Sequence, residues 1–409
     1  MINIAILGFG TVGSGVYEIV RQNGENLKKK INNDIDIKYI LDIRDFSSHP
    51  ESKLFVKDFD IIANDPEVDI VVEVIGGLSP AYDFTKAALA AGKHVVTSNK
   101  ELVATHGTEL FELAEKNGVN YMFEASVGGG IPLIRPLMQC LAANNITEIY
   151  GILNGTTNYI LTQMIKKNKS FEDALSDAQA MGYAERNPAA DIEGHDACRK
   201  ICILASLAFG RHMDCDNIYT EGITKISLDD VKYADALGCV IKLIGYACTY
   251  GKDKVFARVS PMLVPVSSPL AGVDDVFNAI LVNGNFVGEV MFYGRGAGKL
   301  PTASAVMADV IDIAKDVSVQ KRMTWKKAET DIALDINDSE SVMFVRIKAD
   351  DIESAKKKVI TAIPGAEFVC ANLLDGEIAF LTPKQTEKSL NNALATLDGV
   401  VSVIRVKQD

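Results

Sequence analysis

Residues 2–13 read Ile-Asn-Ile-Ala-Ile-Leu-Gly-Phe-Gly-Thr-Val-Gly, and this stretch decides the fold class of the chain. A short apolar run ends at Leu7, and the six residues after it match the pattern G-x-G-x-x-G. In that pattern the first glycine permits a tight turn, the second lets backbone approach a pyrophosphate, and the third lets a helix pack on the strand. The N-terminus of the helix then presents unpaired N–H groups to the phosphates. The pattern predicts a dinucleotide-binding β-turn-α unit whose cofactor contacts are Gly8, Phe9, Gly10, Thr11, Val12 and Gly13.

The residues that follow this unit alternate short apolar segments with amphipathic ones. We predict strands over 2–7, 36–42, 69–75, 94–98 and 119–124. We predict helices over 12–22, 79–91 and 105–117. Strands that alternate with helices are typical of a parallel, doubly wound sheet. The chain therefore begins with an α/β Rossmann-type domain over residues 1–130.

The rest of the chain predicts two further units. Frequent helices and a few strands indicate an α+β catalytic and dimerisation domain over 131–320, in which helix 301–317 packs back on the first domain. Its predicted elements are helices 132–143, 156–167, 170–181 and 195–209 and strands 254–264 and 277–293, with a hairpin turn at Asn283-Gly284-Asn285. The polar residues 321–340 are interpreted as a linker. Residues 341–409 then predict a ferredoxin-like βαββαβ module, with strands 341–348, 366–372, 376–382 and 400–406 and helices 351–362 and 384–397.

Composition narrows the classes of partner. The formal charge of −12 argues against nucleic acid or an anionic membrane, because both need a basic surface. No apolar stretch reaches the ~18 residues that a membrane span needs, and the chain opens on a strand rather than on a secretory leader. The seven scattered cysteines indicate a reduced interior. We expect a cytoplasmic protein that acts on a small molecule.

The cofactor is predicted to be NADP or NAD. Asp42 ends the second predicted strand, where an acidic residue favours the 2′-hydroxyl of NAD. Arg44 follows two residues later and is suited to the 2′-phosphate of NADP. The two residues oppose each other, and the arginine gives a slight preference for NADP.

Three segments fall at the predicted carboxyl ends of strands, where doubly wound sheets bind their ligands. These segments are Ile75-Gly76-Gly77, residues 97–101 with Ser98 and Lys100, and residues 124–132. In the second domain, Asp196 and Lys200 are spaced i,i+4 and share one face of a mostly apolar helix. A partly buried lysine can act as an acid/base group, whereas the plainer interpretation is an exposed ion pair. The glycine-rich turn at 294–305, which includes Gly298, could bind an anion, cover the cofactor or connect domains.

Taken together, these motifs resemble homoserine dehydrogenases. The similarity covers residues 1–320 and rests on the glycine pattern, Glu73–Gly77, Asn99-Lys100, Glu124–Pro132, Asn154–Leu161, Gly182–Glu185, Asp191–Lys200 and Gly294–Ser304. It implies interconversion of L-homoserine and L-aspartate 4-semialdehyde with NAD(P)H, in threonine and methionine biosynthesis. It also implies a homodimer paired through the second domain.

The resemblance assigns roles to particular residues. It implies Lys200 as the proton donor to the carbonyl oxygen, Lys100 as an assisting group at that oxygen, and Asp196 as the residue that orients them. It implies a substrate site made of Glu185, Asp191, Gly182, Tyr183 and Thr156. It further implies a monovalent cation, usually sodium, held by carbonyls of the loop that contains Glu124, Val127, Gly129 and Ile131.

Alternatives stay open. The C-terminal module resembles an ACT domain, but Ala349-Asp350-Asp351-Ile352 replaces the usual Asp-x-Pro-Gly turn, so it is interpreted either as an amino-acid sensor or as a module that only dimerises. The whole chain could also be another amino-acid or semialdehyde dehydrogenase on the same scaffold. A third interpretation is a cofactor-binding sensor without turnover, against which the Asp196–Lys200 pair argues.

Overall fold

A parallel sheet with its topological switch at the first strand forms the start of the chain. The computed structural model describes residues 1–251, 254–321, 323–328, 332–369 and 373–408. The strands of this sheet are β1 Ile2–Leu7, β2 Ile35–Leu41, β3 Phe55–Val56, β4 Ile70–Glu73, β5 His94–Thr97 and β6 Tyr121–Met122. The helices are α1 Thr11–Ile31, α2 Asp60–Ala63, α3 Ala81–Ala90 and α4 Lys100–Lys116. The order β3-β2-β1-β4-β5-β6 reverses direction at β1, which confirms the doubly wound sheet.

Two helices of this domain are longer than the sequence predicts. Helix α1 continues to Ile31 through Gly24, because Val20, Leu27 and Ile31 bury one face of it. Helix α4 begins at Lys100 rather than at 105, since the side chain of Asn99 caps it and accepts from the backbone N–H of Leu102. Lys100 therefore lies in a helical first turn and not in a loop.

The second domain contains a mixed sheet with helices on it. Its elements are β7 Ile146–Ile152, α5 Gly155–Lys167, α6 Phe171–Ala180, α7 Ala189–Ile192, α8 His195–Phe209, β8 Tyr219–Thr220, α9 Leu228–Ala236, β9 Cys239–Tyr250, β10 Lys254–Pro265, β11 Phe277–Gly284, β12 Gly288–Arg295 and α10 Lys299–Lys315. The sequence interpretation missed β7, α9 and β9. It also set the hairpin turn too early, because β11 continues through Gly284 and the turn comprises residues 285–287. Helix α10 packs against α1, where Gly15 leaves no space for a side chain beside Ala303.

The predicted helix 132–143 is shorter than expected. Residues 134–140 are helical, and Pro136–Cys140 among them form a π-type turn. The backbone N–H groups of Leu133, Ile134 and Arg135 donate to the carboxylate of Glu124. Because N–H groups at the start of a helix have no carbonyl partner within it, this buried carboxylate caps the short helix.

The C-terminal strands continue the sheet of the second domain. The elements are β13 Glu340–Ser341, β14 Met343–Lys348, α11 Ile352–Ala362, β15 Glu367–Phe368, β16 Glu377–Leu381, β17 Gln385–Thr386, α12 Glu387–Leu394 and β18 Val400–Val406. The antiparallel order β18-β14-β16-β15 is a split βαβ arrangement. Strand β18 pairs with β10 at Met262 and Leu263, which joins the two sheets. The last part of the predicted strand 366–372, residues 370–372, lies outside the described residues.

The stretch interpreted as a polar linker is packed on the protein. Trp325 is buried, and its indole N–H donates to Thr108 of α4 at 3.0 Å. Lys326 forms an isolated β-bridge with Arg211, and Ala333 forms one with Val255. Residues 322 and 329–331 of this stretch lie outside the described residues. In the described part of the chain, no helix has the length and apolar character that a membrane crossing requires.

Candidate active site

A cavity of about 620 Å³ opens between the first two domains at the carboxyl ends of the parallel strands. Such a volume is typical of a small-molecule site. Twelve residues that the sequence analysis assigns to the site line it, namely Val12, Ser98, Lys100, Gly129, Thr156, Gly182, Tyr183, Glu185, Asp191, Asp196, Lys200 and Gly298. The structure thus brings residues from α1, α4, α5 and α8 to one place.

Asp196 is the centre of the polar cluster in this cavity. One carboxylate oxygen accepts from the ammonium of Lys200 at 2.7 Å, and the other lies 3.0 Å from the ammonium of Lys100. Burial raises the pKa of Asp196, but the two lysines outweigh burial and hold that pKa below its ordinary value. The carboxylate is therefore ionised and fixes two ammonium groups from different domains.

Lys200 is oriented by two acceptors. Its ammonium donates to Asp196 and to the carbonyl of Leu153, each at 2.7 Å. Lys200 is buried, whereas the side chain of Lys100 is 37% exposed. Because an ammonium has three N–H donors, these two bonds leave one donor of Lys200 for a ligand in the cavity.

A second carboxylate lies beside this pair. The side-chain amide of Asn154 donates to Asp191 at 2.7 Å and to Asp196 at 2.9 Å. Burial raises the pKa of Asp191, and the nearby charge of Asp196 raises it further. Asn154 is also the cap of α5, where its side-chain oxygen accepts from Thr157. Two carboxylates held at one wall give this part of the cavity a negative character.

The remaining predicted substrate residues come from the turn after α6. Tyr183 and Glu185 are exposed, and Gly182 has a φ of 74° that favours glycine. The hydroxyl of Thr156 donates to the carbonyl of Tyr183 at 2.6 Å, so its proton holds the turn in place. Glu185 reaches the cavity from the solvent side.

The glycine turn has the geometry that its sequence predicts. Gly8 has a φ of 98°, Gly10 precedes the first residue of α1, and a side chain at Gly13 would collide with the carbonyl of Gly8. Of the six turn residues, Val12 lines the cavity, and the others lie along the edge of the sheet next to it. Phe9 is packed edge-on against Tyr17 in a small aromatic group.

Asp42 and Arg44 form an ion pair at the end of β2. The guanidinium donates to both carboxylate oxygens at 2.9 and 2.7 Å. Asp42 also accepts from the backbone N–H of Phe9 at 2.8 Å, which joins this pair to the glycine turn. Hydrogen bonds from Arg44 hold the pKa of Asp42 well below its usual range. Arg44 is 57% exposed and lies outside the main cavity.

The turn after β4 also lies outside the main cavity. Gly76 and Gly77 have φ values of 84° and 71°, and both are exposed. Neither they nor Ile75 line the cavity, whereas Ser98 at the end of the neighbouring strand does. The structure therefore places this loop beside the site rather than within it.

The loop over 124–131 is predicted to hold a cation through backbone carbonyls. Outside the regular helices and strands of the described chain, no backbone N–H donates to the carbonyl oxygens of Val127, Gly129 or Ile131, and Glu124 lies in a short 3-10 helix over Glu124–Ser126. The side chain of Glu124 is used differently, because it accepts from three backbone N–H groups. No cluster of three or more His, Cys, Asp or Glu side chains suited to a metal occurs among the described residues. Any ion in this loop would thus be bound by backbone oxygen.

The glycine-rich turn before α10 closes one side of the cavity. A side chain at Gly129 would collide with the carbonyl of Gly296, so the two loops pack backbone against backbone. The N–H of Gly130 donates to the carbonyl of Arg295 at 3.0 Å. Gly298 has a φ of 127° and precedes the first residue of α10.

Several cavity residues were missed by the sequence analysis. Asn154 belonged to a recognised motif, and the pattern Asn-Gly-Thr-Thr could have identified it as a helix cap. Ser126 and Arg295 lie in glycine-rich segments that the sequence analysis singled out as candidate ligand-binding segments, but neither residue was assigned to the site. The missed lining residues are Ala125, Ser126, Asn154, Gly155, Val276, Arg295, Gly296, Ala297 and Thr302.

A doubly wound domain with a glycine turn is joined to a second domain so that Lys100 of the first and Asp196 and Lys200 of the second meet in one cavity, and this combination defines an NAD(P)-dependent oxidoreductase. Residues 8–124 match the family model "Homoserine dehydrogenase, NAD binding domain", and residues 132–311 match the model "Homoserine dehydrogenase". The chain belongs to the homoserine dehydrogenase family.

Similar proteins span nearly the whole chain. A homoserine dehydrogenase of Neisseria gonorrhoeae is 41% identical, covering 98% of this chain and 95% of that protein. The crystal structure of a homoserine dehydrogenase from Thiobacillus denitrificans is 37% identical with a TM-score of 0.91, covering 100% of this chain and 98% of that one. A hyperthermophilic archaeal homoserine dehydrogenase in complex with NADPH is 28% identical with a TM-score of 0.64, covering 76% of this chain and 97% of that one.

Proposed function

We propose that this cavity interconverts L-aspartate 4-semialdehyde and L-homoserine, with Lys200 as the proton donor. The observation that carries the assignment is the buried Lys200–Asp196 pair with Lys100 on its second oxygen, which lines the cavity between the two domains. A bound nicotinamide supplies or accepts the hydride. In the reducing direction, Lys200 gives a proton to the carbonyl oxygen that becomes the alcohol, and Lys100 stabilises the charge that develops on the same oxygen.

Asp196 acts on the substrate through the lysines. Its two oxygens bind the two ammonium groups and orient them towards the cavity. The carbonyl of Leu153 fixes the direction of the Lys200 side chain. After proton transfer, the lysine regains a proton from solvent through the exposed side of the cavity.

The amino group of the substrate is bound by the acidic wall. Glu185 holds the ammonium of homoserine, with Asp191 near it, because carboxylates are the natural partners of an ammonium group. Tyr183, Gly182 and Thr156 shape the turn that carries Glu185.

The preferred cofactor is NADP. Arg44 is exposed at the end of β2, and its partner Asp42 is hydrogen-bonded to the glycine turn. The guanidinium is therefore placed to donate to a 2′-phosphate. The archaeal relative whose structure contains NADPH supports this assignment by similarity.

A monovalent cation, sodium, is proposed for the loop over 124–131. The carbonyl oxygens of Val127, Gly129 and Ile131, to which no backbone N–H donates outside the regular elements of the described chain, fit a hard cation with oxygen ligands. The cation would brace the loop against the glycine turn before α10.

We further propose that the protein is a homodimer in the cytoplasm, as the family resemblance implies, and a monomeric mass in solution would contradict that assembly.

Steady-state rates test the function directly. The purified protein should oxidise L-homoserine with NADP and reduce L-aspartate 4-semialdehyde with NADPH, and NADH should be the poorer cofactor. Addition of sodium to cation-depleted enzyme should raise the rate, whereas lithium should not. Absence of turnover with both substrates would refute the proposal, and a higher rate with another aldehyde would favour the related dehydrogenase reaction.

A further inference from the structure

A buried polar chain joins the turn after β4 to the first turn of α4. It consists of Glu73, Thr97 and Asn99, whose exposed fractions are 0%, 0% and 6%. None of the three lines the cavity. These three residues contact both the 75–77 turn and the start of α4, the helix that begins with Lys100. They are therefore candidates for a positioning role.

Two hydrogen bonds connect these residues, one from the backbone of Asn99 to Thr97 and one from Thr97 to Glu73. The hydroxyl of Thr97 donates to Glu73 at 2.6 Å and accepts from the backbone N–H of Asn99 at 2.9 Å. The carboxylate of Glu73 also accepts from the N–H of Ile75 at 2.8 Å. Thr97 therefore connects the residue that fixes the turn with the residue that caps α4.

The side chain of Asn99 connects the 75–77 turn to α4. Its amide donates to the carbonyl of Gly77 at 2.6 Å, and its side-chain oxygen accepts from the N–H of Leu102 in α4. The side chain of Asn99 thus binds the last residue of the 75–77 turn and also caps α4, the helix that begins with Lys100. Gly76 and Gly77 have positive φ values, so the turn has little intrinsic preference for one conformation and depends on such contacts.

The energetic cost of this arrangement argues for a purpose. Burial raises the pKa of Glu73, and hydrogen bonds from Thr97, Ile75, Gly76 and Asn99 oppose that rise. A buried carboxylate is costly, and an apolar residue at the end of a buried parallel strand would be the ordinary choice. Polar networks that are fully paired make a local structure rigid and specific.

We propose that Glu73, Thr97 and Asn99 are positioning residues that fix the 75–77 turn relative to Lys100, and thereby the nicotinamide relative to the proton-donating lysines. This inference rests on the proposed function, and it assigns the 75–77 turn to the nicotinamide end of the cofactor because that turn follows the strand beside β1 at the topological switch. Hydride transfer needs reacting atoms at close distance, and a displacement of about 1 Å can cost on the order of 10²-fold in rate.

The test uses Thr97→Val, which keeps the shape of the side chain and removes the hydroxyl. We expect kcat to fall by about tenfold or more, the Kd for NADPH to rise severalfold in a fluorescence titration, and the KM for homoserine to stay nearly constant. The kinetic isotope effect with nicotinamide deuterated at the transferred position should increase, because hydride transfer becomes rate-limiting. Thr97→Ser, which restores the hydroxyl, should recover most of the rate.

Thr85→Val is the matched control. Thr85 is another fully buried threonine of the same domain, and its hydroxyl has no hydrogen-bond partner among the described residues. This variant should leave kcat, the Kd for NADPH and the isotope effect unchanged. If Thr97→Val behaves like Thr85→Val, or if Thr97→Ser is impaired as much as Thr97→Val, the inference is wrong.

Asn99→Ser covers the case in which Thr97→Val does not fold. The serine hydroxyl can still cap α4 but is too short to donate to Gly77, so the thermal midpoint should fall only modestly while the Kd for NADPH rises. An unchanged Kd would overturn the inference. If the wild type binds NADPH but turns over neither homoserine nor the semialdehyde, the proposed function fails, and the titrations still decide whether the network positions the cofactor turn.

Discussion

At the scale of single residues, the proposed reaction depends on Asp196, which binds Lys200 through one carboxylate oxygen and Lys100 through the other. The three side chains come from α4 and α8, which belong to different domains. A buried carboxylate with two cationic partners is stable in its charged form, as the lowered pKa of Asp196 shows. The arrangement holds two proton donors at one wall of the cavity.

Replacement of Lys200 by alanine should lower kcat by ~10²–10⁴-fold, the range that a positioned acid/base group contributes. The Kd for NADPH should change little, because the residue contacts Asp196 and Leu153 and not the glycine turn. Lys93→Ala is a suitable control, since Lys93 is also buried and donates to backbone carbonyls away from the cavity. Unaltered turnover in Lys200→Ala would remove this lysine from the mechanism.

Replacement of Arg44 by alanine should raise the KM for NADPH far more than the KM for NADH. The guanidinium of Arg44 pairs with Asp42. A 2′-phosphate, which NADPH has and NADH lacks, would accept a further charge-assisted hydrogen bond from the same guanidinium. Lys30→Ala removes a positive charge from an exposed site at the end of α1 and serves as the comparison. An equal change in both KM values would show that Arg44 is only a surface charge.

At the scale of elements, buried ion pairs attach the C-terminal strands to β10. The carboxylate of Glu387 in α12 accepts from Arg405 at 2.7 Å, from Arg258 at 3.1 Å and from Ser341 at 2.8 Å. Burial raises the pKa of Glu387, but the hydrogen bonds from Arg405 and Ser341 and the charge of Arg258 hold it below its ordinary value. Strand pairing between β10 and β18 is thereby supplemented by charge.

Replacement of Glu387 by glutamine should destabilise the protein by about 3–5 kcal/mol at pH 7, because buried Arg258 loses its carboxylate partner and buried Arg405 is left with Glu221. The pH dependence follows from the lowered pKa. The unfolded chain binds the proton more readily than the folded one, so the contribution of Glu387 is fully present above pH 4.5 and is lost as the pH falls through the folded pKa. Urea unfolding should therefore show a smaller difference between wild type and Glu387→Gln in acid than at pH 7. A difference that grows in acid would contradict this account.

At the scale of the whole molecule, the C-terminal unit has an apolar core of its own and is joined to the second domain by a continuous sheet and by buried ion pairs. Arg346 of β14 donates to Asp230 of α9 at 2.8 Å, and the N–H of Lys407 donates to the carbonyl of Leu263. The archaeal relative matches only 76% of this chain while 97% of its own length is covered, so the family fold does not require every part of this chain. In this chain, however, β10 carries an arginine whose partners lie in the C-terminal strands.

A chain that ends at residue 340 should therefore be markedly less stable than the full chain. Removal of β18 uncovers the edge of β10 at Met262 and Leu263, which are buried, and leaves Arg258 without Ser341 and Glu387. An exposed apolar edge strand promotes aggregation. Thermal unfolding and size-exclusion chromatography of both chains measure the effect. A truncated chain with unchanged stability would show that the ion pairs contribute little.

The sequence by itself determined the parallel sheet, the glycine turn and the pairing of Asp196 with Lys200. These features are local, because G-x-G-x-x-G needs only its own backbone, and Asp196 and Lys200 share a helix face at i,i+4 spacing. The clear alternation of apolar strands in the first domain follows from burial on both faces. By contrast, β7 and β9 were missed, since charged and small residues such as Glu148, Lys242 and Gly245 interrupt their pattern and find their partners only in the folded protein.

Only the tertiary structure decided which distant groups meet. It brought Lys100 to Asp196 from another domain, gave Asn154 its two carboxylate partners, and used the carboxylate of Glu124 to pair backbone donors where a longer helix was expected. It also fused the C-terminal strands to β10 and buried Trp325 in a stretch that reads as a polar linker. Contacts of this kind have no local signal, because their free energy comes from burial and pairing between segments far apart in the chain.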